Sequence, residues 1–421
     1  MAITLVALAA LAATSAFAQS SVTVYGVMDA AYKNYTLKNN AGEVLIKSNG
    51  VSDGSNAGSR VGFRGVEDLG NGRNANFVFE AGIVVAGPDG FANRSGAEGA
   101  QVAGVSNSGN MPLGAYGSNS NTRQAYVSAS DKGLGELRIG YQYTELYNTS
   151  TNTGFFIGQE QPGGFLHKIS NGEFGGTRAN GLVYVSPKIA GTTTVTAQYG
   201  AGTARNDYES DLAGGQNGYK KNNAKRQSLG ALFEQGPLRV GAAYTTYKQE
   251  QDLGDVTAAT TTSTSVFGVV TANTALKGTS FESKLTQLNA SYDFGMIKPV
   301  VQYVKGEKDL TSVTGATGSE TNGTIGKTVG KYDYKATTYG FTAPYGAATF
   351  FVLGGSGKIT SATADINKYK QTQYGVRYAL SKRTTAYVAA GTSKDEAAAS
   401  AAASTAGGKS TYSAIGMTHS F

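Results

Sequence analysis

The sequence offers few side chains for catalysis. It has two histidines, His167 and His419, and no cysteine. General acid–base catalysis most often uses histidine, and a zinc site needs several histidine, cysteine or carboxylate ligands. Neither histidine lies beside a recognisable nucleophile, and no H-E-x-x-H motif is present. The pattern predicts a protein that is not an enzyme and uses no metal or cofactor.

Charged side chains are spaced instead for lining a water-filled passage. They recur at alternate positions of short segments, as Arg239 does opposite Val240 and Tyr244. The basic residues on such polar faces are Arg60, Arg64, Arg138, Arg226, Arg239, Lys335 and Arg377, and the acidic ones are Glu80, Glu136 and Asp333. A narrow opening with a basic excess concentrates anions. The count of seven against three predicts a positive lumen.

The elements that must position these residues are β-strands with one dry and one wet side. In Leu285–Tyr292, the apolar Leu288, Ala290 and Tyr292 alternate with polar residues, and Thr194–Tyr199 repeats the pattern. After the first eighteen residues there is no run of about 18 apolar residues, which excludes helical membrane spans. The chain is therefore predicted to be all-β.

Short turns and long polar segments separate the strands alternately. The seven turns are Asp68–Arg73, Asp131–Gly135, Pro187–Gly191, Gln235–Pro237, Phe294–Met296, Pro344–Ala347 and Ser381–Arg383. The eight long segments are 38–58, 82–121, 144–179, 201–224, 248–283, 306–329, 356–369 and 393–409. Fifteen connections imply sixteen strands, and an even number with one short-turn rim is typical of transmembrane β-barrels. Sixteen strands leave an open channel.

Composition agrees with this architecture. The 421 residues include 58 glycines and 25 tyrosines, only 15% are charged, and the net charge is +7. A secreted β-sandwich or repetitive adhesin is the soluble alternative, but a sandwich needs apolar faces that meet in a thick core. Outward tyrosines suit the aromatic girdles of a membrane barrel instead.

The first eighteen residues form an apolar stretch that ends in Ala16-Phe17-Ala18. This pattern predicts a secretory signal peptide over residues 1–18, with cleavage before Gln19. The single barrel domain then covers residues 19–421.

Several motifs resemble those of Gram-negative general porins, particularly the β-proteobacterial group. The segments that carry the resemblance are 21–26 (SVTVYG), 59–70 (SRVGFRGVEDLG), 76–82 (NFVFEAG), 123–127 (RQAYV), 140–143 (GYQY) and the terminal Phe421. The resemblance implies a 16-stranded antiparallel transmembrane β-barrel that forms a homotrimer in the outer membrane. It also implies periplasmic termini, extracellular long loops, and recognition of Phe421 by the barrel-assembly machinery.

In this family the third long loop, here 144–179, folds inward and narrows the pore. The resemblance therefore predicts a constriction formed by Arg60, Arg64, Arg123, Arg138, Glu80, Glu160 and Glu173, with Arg226, Arg239, Lys335 and Arg377 elsewhere in the lumen. The strand that holds Arg123 does not separate into wet and dry faces, so its direction stays open. Glu160 and Glu173 are either opposing charges across the opening or ordinary loop charges.

The sequence predicts passive diffusion of small hydrophilic solutes and ions, with weak anion selectivity. A substrate-specific channel for sugars or organic anions is the alternative, because Phe155, Phe156, Phe165 and Phe174 could line a conduction path. An adhesin and a barrel enzyme are further alternatives. The expected partners are outer-membrane lipid and lipopolysaccharide, the assembly machinery, and the solutes, with no nucleic acid.

Overall fold

The computed structural model describes residues 21–54, 56–83, 85, 122–154, 178–201, 208–209, 221–252, 261–265, 268–272, 278–314, 330–362, 365–395 and 408–421. Within these residues the chain forms twenty strands and one helix. The strands are β1 (Ser21–Lys38), β2 (Val44–Asp53), β3 (Arg60–Gly70), β4 (Arg73–Gly82), β5 (Thr122–Asp131), β6 (Gly135–Tyr143), β7 (Arg178–Val185), β8 (Thr193–Ala201), β9 (Tyr208–Glu209), β10 (Lys221–Gln235), β11 (Leu238–Asp252), β12 (Thr261–Ser265), β13 (Gly268–Ala272), β14 (Gly278–Tyr292), β15 (Lys298–Thr314), β16 (Gly330–Tyr345), β17 (Ala348–Ser361), β18 (Asp365–Ala379), β19 (Thr384–Asp395) and β20 (Gly408–Ser420). The helix α1 spans Glu145–Asn152.

The main sheet closes on itself as an antiparallel barrel, because β1 pairs with β20 on one side and with β2 and β3 on the other. Strands β2 and β3 follow each other along β1, and β8 and β9 follow each other along β10. Each of these two pairs fills one position of the wall. Strands β12 and β13 form a separate two-stranded sheet. Eighteen segments therefore occupy sixteen wall positions, which confirms the predicted strand number.

The seven predicted short turns all join neighbouring strands at one rim. Between β3 and β4, Asn71 and Gly72 both have positive φ, 55° and 77°, as a tight hairpin turn requires. At the other rim two predictions are wrong. The segment 38–58 contains the ten-residue strand β2, Val44–Asp53, which pairs with β1. The segment 356–369 is not a long loop, because β17 continues to Ser361 and β18 begins at Asp365.

The two faces of the wall alternate as predicted over much of the barrel. On β14, Leu288 and Tyr292 are 49% and 39% exposed on the outer face, whereas Gln287 and Asn289 are buried on the inner face. Closure gives each strand a neighbour on both sides, which satisfies the backbone hydrogen bonds that a lipid environment cannot. Within the described ranges no helix is long and apolar enough to cross a membrane.

Part of the inner face is dry. A buried apolar cluster joins Leu146 of α1 to inner-face residues of β14–β18, including Leu285, Tyr334, Ile359 and Tyr369. These side chains are 1% exposed. The predicted division into a dry outer face and a wet inner face therefore does not hold on this side, where α1 and the cluster cover the wall.

Candidate pore constriction

Helix α1 is held against the inner wall by two buried glutamines. Nε2 of Gln287 lies 2.8 Å from the Leu146 carbonyl oxygen and 2.8 Å from Ser150 Oγ, and Nε2 of Gln302 lies 2.8 Å from the same Oγ. Leaving such buried groups without partners costs about 1–3 kcal/mol each. The glutamines therefore fix the helix on β14 and β15.

Two glycines make room for α1 on the neighbouring strands. A Cβ at Gly230 would lie 2.5 Å from Oε2 of Glu145, and a Cβ at Gly241 would lie 3.2 Å from Thr149 Cβ. At the C-terminal end of α1, Nη1 of Arg239 donates to the Asn152 carbonyl oxygen at 3.0 Å. Carbonyl groups in the last helical turn lack helical partners, so this cation stabilises the helix end.

Glu145 lies on the buried side of α1, and its residue is 3% exposed. Asn148 Nδ2 donates to Oε1 of Glu145 at 3.1 Å. Burial raises the pKa of the Glu145 carboxyl to about 6, because water no longer stabilises its charged form. The docked side of the helix thus contains a group that titrates near neutral pH.

Glu80 of β4 is the centre of a charged cluster on a different part of the wall. Its Oε1 lies 2.6 Å from Arg123 Nε, its Oε2 lies 3.6 Å from Arg60 Nε, and Tyr25 donates to Oε2 at 3.2 Å. The Glu80 side chain is 6% exposed, compared with 27% for Arg60. The carboxylate is therefore screened by its partners, whereas Arg60 still reaches the lumen.

A β-bulge directs Arg123 towards this cluster. Glu80 pairs with Gln124, but the next residue, Ala81, pairs with Thr122, so Arg123 has no residue opposite it on β4. Bulges disrupt the alternation of side chains and re-aim one of them. This geometry explains why the faces of β5 could not be separated from the sequence.

Tyr143, at the end of β6, connects the charged cluster to α1. Its hydroxyl lies 2.7 Å from Arg123 Nη2 and 3.2 Å from Arg178 Nη2. Its ring stacks on Tyr147 of α1 with the centroids 4.0 Å apart and the planes 6° apart. The guanidinium of Arg178 also lies 4.7 Å from the centre of the Tyr143 ring. The tyrosine pair thus bridges the wall and the helix.

The segment between β2 and β3 is fixed by a buried carboxylate. Oδ2 of Asp29 accepts hydrogen bonds from the backbone N–H groups of Asn56 and Ala57, at 2.9 and 2.6 Å, and Oδ1 accepts one from Tyr387 at 2.7 Å. These bonds interrupt the strand and hold Asn56 and Ala57 beside the charged cluster.

A cleft of about 320 Å³ lies between the wall and α1. Its lining is formed by Asn56, Ala57, Arg60, Glu80, Tyr143, Tyr147, Asn148, Thr151 and Asn152. With Arg123 and Arg178 behind Tyr143, three arginines accompany one carboxylate, a net charge of +2 (3 − 1). Among the residues that the structure describes, the surroundings of this cleft are therefore net positive.

The other predicted basic residues lie apart from this cleft. Arg64 is exposed beside the Tyr25 ring, Arg138 is paired with Glu136 at 2.7 Å, and Arg377 lies over the Phe351 ring at 5.0 Å. They share the inner face but not the cluster around Glu80.

Three predictions about the lumen are wrong. Thr338 is opposite the inner-facing Gln302, so Lys335 and Asp333, at odd spacings from Thr338 on β16, face outward. Arg226 faces inward but does not line the open lumen as predicted, since it is 1% exposed and its guanidinium lies 5.3 Å from the centre of the Tyr247 ring. Glu160, Glu173, His167, the loop phenylalanines and residues 1–18 lie outside the described residues.

Sequence reasoning missed Tyr143 and Tyr147 as parts of the cleft and Tyr25 as a partner of Glu80 beside it. Their only signal was aromatic residues close to arginines at the ends of strands.

The segment 50–54 reads G-V-S-D-G, a serine-nucleophile spacing, but Ser52 lies within β2 and its hydroxyl donates to the Asp53 carbonyl oxygen. His419 lies at the short-turn rim, where its Nδ1 contacts Thr384 Oγ1.

Comparison with known proteins gives one consistent result. The family model for Gram-negative porins matches residues 4–398. An outer membrane porin of Bordetella pertussis is 26% identical over 99% of both chains, and porin 32 of Delftia acidovorans is 29% identical over 73% of this chain and 70% of its own. Among solved structures, the anion-selective porin from Comamonas acidovorans has a TM-score of 0.61 at 21% identity, covering 96% of this chain and 100% of its own. The trimer form of OmpT from Vibrio cholerae has a TM-score of 0.57 at 13% identity, covering 96% and 99%. The family predicted from the sequence motifs is confirmed: the chain belongs to the Gram-negative porins, which are channels and not enzymes.

Proposed function

We propose that the protein is an outer-membrane channel for passive diffusion of small hydrophilic solutes and ions, with a weak preference for anions. The observation that carries this proposal is the excess of cations beside the cleft, where Arg60 and Arg123 share Glu80 and Arg178 contacts Tyr143. Low-dielectric walls focus such a potential into the opening and raise the local concentration of anions.

The expected preference is weak because the cluster is partly neutralised. Glu80 is paired with Arg123, and Arg138 is paired with Glu136. The structurally similar porin from Comamonas acidovorans is anion-selective, which supports the same sign of selectivity. The wide sixteen-stranded wall also leaves room for hydrated ions.

We further expect a homotrimer with its termini and short-turn rim in the periplasm and its long connections outside. The C-terminus is built into the wall, because Gly26 and Phe421 exchange two backbone hydrogen bonds of 3.0 and 3.1 Å. This position presents Phe421 at the short-turn rim, where assembly machinery could bind it. Cleavage after residue 18 and contact with lipopolysaccharide belong to the same proposal.

A substrate-specific channel for sugars or organic anions is the second candidate. The stacked pair of Tyr143 and Tyr147 at the cleft favours it, because aromatic faces bind sugar rings and planar anions. Concentration-dependent block of the ionic current by such solutes would support specific binding. Current that is unaffected by them supports general diffusion.

The test is single-channel recording of the purified protein in planar bilayers, followed by reversal potentials in a KCl gradient. We expect stable conductance in steps of three and a reversal potential whose sign reports anion preference. Absence of channels would refute the pore, whereas a clear cation preference would refute only the selectivity.

A further inference from the structure

The hydroxyl group of Tyr143 has a partner at every position where it can form a hydrogen bond. It donates to Oε1 of Glu80 at 3.4 Å, and it accepts from Nη2 of Arg123 at 2.7 Å and from Nη2 of Arg178 at 3.2 Å. A tyrosine hydroxyl has one hydrogen to donate and also accepts, so these three bonds use its capacity. The oxygen thus joins one carboxylate and two cations beside the cleft.

The two arginines differ in how they are held. Arg123 has a second partner, because its Nε lies 2.6 Å from Oε1 of Glu80. Arg178 has no ion pair with any residue that the structure describes, its buried Nε has no partner, and its one side-chain hydrogen bond there is the one to Tyr143. Both guanidinium groups bond the same oxygen, so these like charges lie within about 6 Å of each other and repel. Arg178 therefore depends on the Tyr143 hydroxyl for its position, whereas Arg123 does not.

The ring of Tyr143 has a separate role. It stacks on Tyr147 of α1, and that helix is also fixed by Gln287 and Gln302. A phenylalanine ring would keep the stack. It would also keep the contact with the Arg178 guanidinium at 4.7 Å, which attracts the cation to the ring face but fixes no nitrogen at a particular point. Removal of the hydroxyl alone therefore separates the position of Arg178 from the position of the helix.

We propose that Tyr143 is a positioning residue for ion selectivity, whose hydroxyl holds the Arg178 guanidinium beside the cleft. Arg60 and Arg123 share the carboxylate of Glu80, so Arg178 is the cation whose charge no described carboxylate offsets. Without the hydroxyl, repulsion by Arg123 and hydration draw the Arg178 guanidinium away from the cleft. The inference rests on the proposed function, since it concerns the selectivity of the same pore.

The test compares Y143F, R178Q and the double variant Y143F/R178Q with the wild type, as purified full-length protein in planar bilayers. Reversal potentials in a KCl gradient give the permeability ratio of anions to cations. Single-channel conductance at about 1 M KCl, where charges are screened, reports the width of the opening and serves as the fold check.

We expect Y143F to lower the anion-to-cation permeability ratio about twofold and to leave the conductance within about a tenth of the wild-type value. A merely structural role of the hydroxyl would change the conductance as well. Because the hydroxyl acts through Arg178, R178Q should lower the permeability ratio by at least as much, and the double variant should match R178Q.

The matched control is Y126F. Tyr126 also has an arginine over its ring, with the Arg138 guanidinium 5.5 Å from the centroid. In the described part of the chain, however, its hydroxyl has no hydrogen bond to an arginine. Y126F should therefore leave the permeability ratio unchanged.

An unchanged permeability ratio in Y143F would overturn the proposal, and so would an equal loss in Y126F. A double variant that loses clearly more selectivity than R178Q would also overturn it, because the hydroxyl would then act through another group. A cation-selective wild type in which Y143F shifts the ratio further towards cations would refute the proposed anion preference and leave this inference intact. Absence of channels in the wild type would refute both.

Discussion

Arg123 and Glu80 form an ion pair in which the Arg123 Nε and Glu80 Oε1 atoms are 2.6 Å apart. The pair depends on the bulge in β5, since a regular strand would place consecutive side chains on opposite faces. Because Arg60 shares the same carboxylate, Glu80 determines how much positive charge reaches the opening.

Substitution of Glu80→Gln should strengthen the anion preference. One negative charge about 7 Å from a passing ion is worth roughly 0.6 kcal/mol in water, which corresponds to about a threefold change in the permeability ratio. Reversal potentials in a KCl gradient measure it. The control Glu136→Gln, in a carboxylate paired with Arg138 away from the cleft, should change the ratio less. An equal shift in both variants would contradict a role for the cleft.

Substitution of Arg60→Gln should weaken the anion preference by a similar factor of about three, because its guanidinium lines the cleft and is still 27% exposed. The barrel should remain folded, since Glu80 keeps its shorter contact with Arg123. The matched control is Arg73→Gln at the short-turn rim, where the cation is 65% exposed and paired with Asp131. Unchanged selectivity in the Arg60 variant would argue against this site as the selectivity filter.

Substitution of Gly241→Val should lower the conductance, roughly by a third to a half, because the opening narrows. Even the first added carbon would come within 3.2 Å of Thr149 Cβ and push α1 away from β11, towards the cleft. The control Gly354→Val introduces the same side chain on β17, where a Cβ has no neighbour closer than 3.7 Å. Single-channel conductance compares the two variants, and a normal value for Gly241→Val would mean that α1 does not border the conducting path.

Most of the fold could be predicted from the sequence because a strand's alternation is a local property. On β16 the predicted inner and outer faces are exchanged: Tyr332 and Tyr334 are buried inside the barrel, and Lys335 is exposed on the outside. In this part of β16 the outer face is exposed to water, and the inner face packs in the apolar cluster. A polar side chain therefore no longer indicates that its residue faces the lumen.

The candidate site was less predictable, because it depends on contacts between distant parts of the chain. Arg60 and Glu80 could be assigned from alternation, but the direction of Arg123 required the bulge in its pairing with β4. The bridge through Tyr143 and Tyr147 depends on the docking of α1. Neither the register shift nor the docking leaves a local sequence pattern.

Glu145 should make the docking of α1 dependent on pH. Its pKa is raised by burial from 4.5 to about 6, so the native state holds this proton more tightly than the unfolded state does. The stabilisation is complete below about pH 4.5 and is lost as pH rises through about 6. A shift of this size corresponds to about 2 kcal/mol.

The variant Glu145→Gln replaces the carboxyl with an amide of the same shape that cannot ionise. It should therefore remove this dependence of stability on pH. At pH 7 we expect its free energy of unfolding to exceed that of the wild type by about 2 kcal/mol, so that it unfolds at a higher denaturant concentration. At pH 4.5 the two proteins should have the same free energy of unfolding. Denaturant unfolding in detergent at both pH values measures the difference. The exposed Glu282→Gln, on the outer face of β14, is the control and should not differ between the two conditions in the same way. A gain that is equal at both pH values would show that Gln improves packing and that titration of the buried carboxyl plays no part.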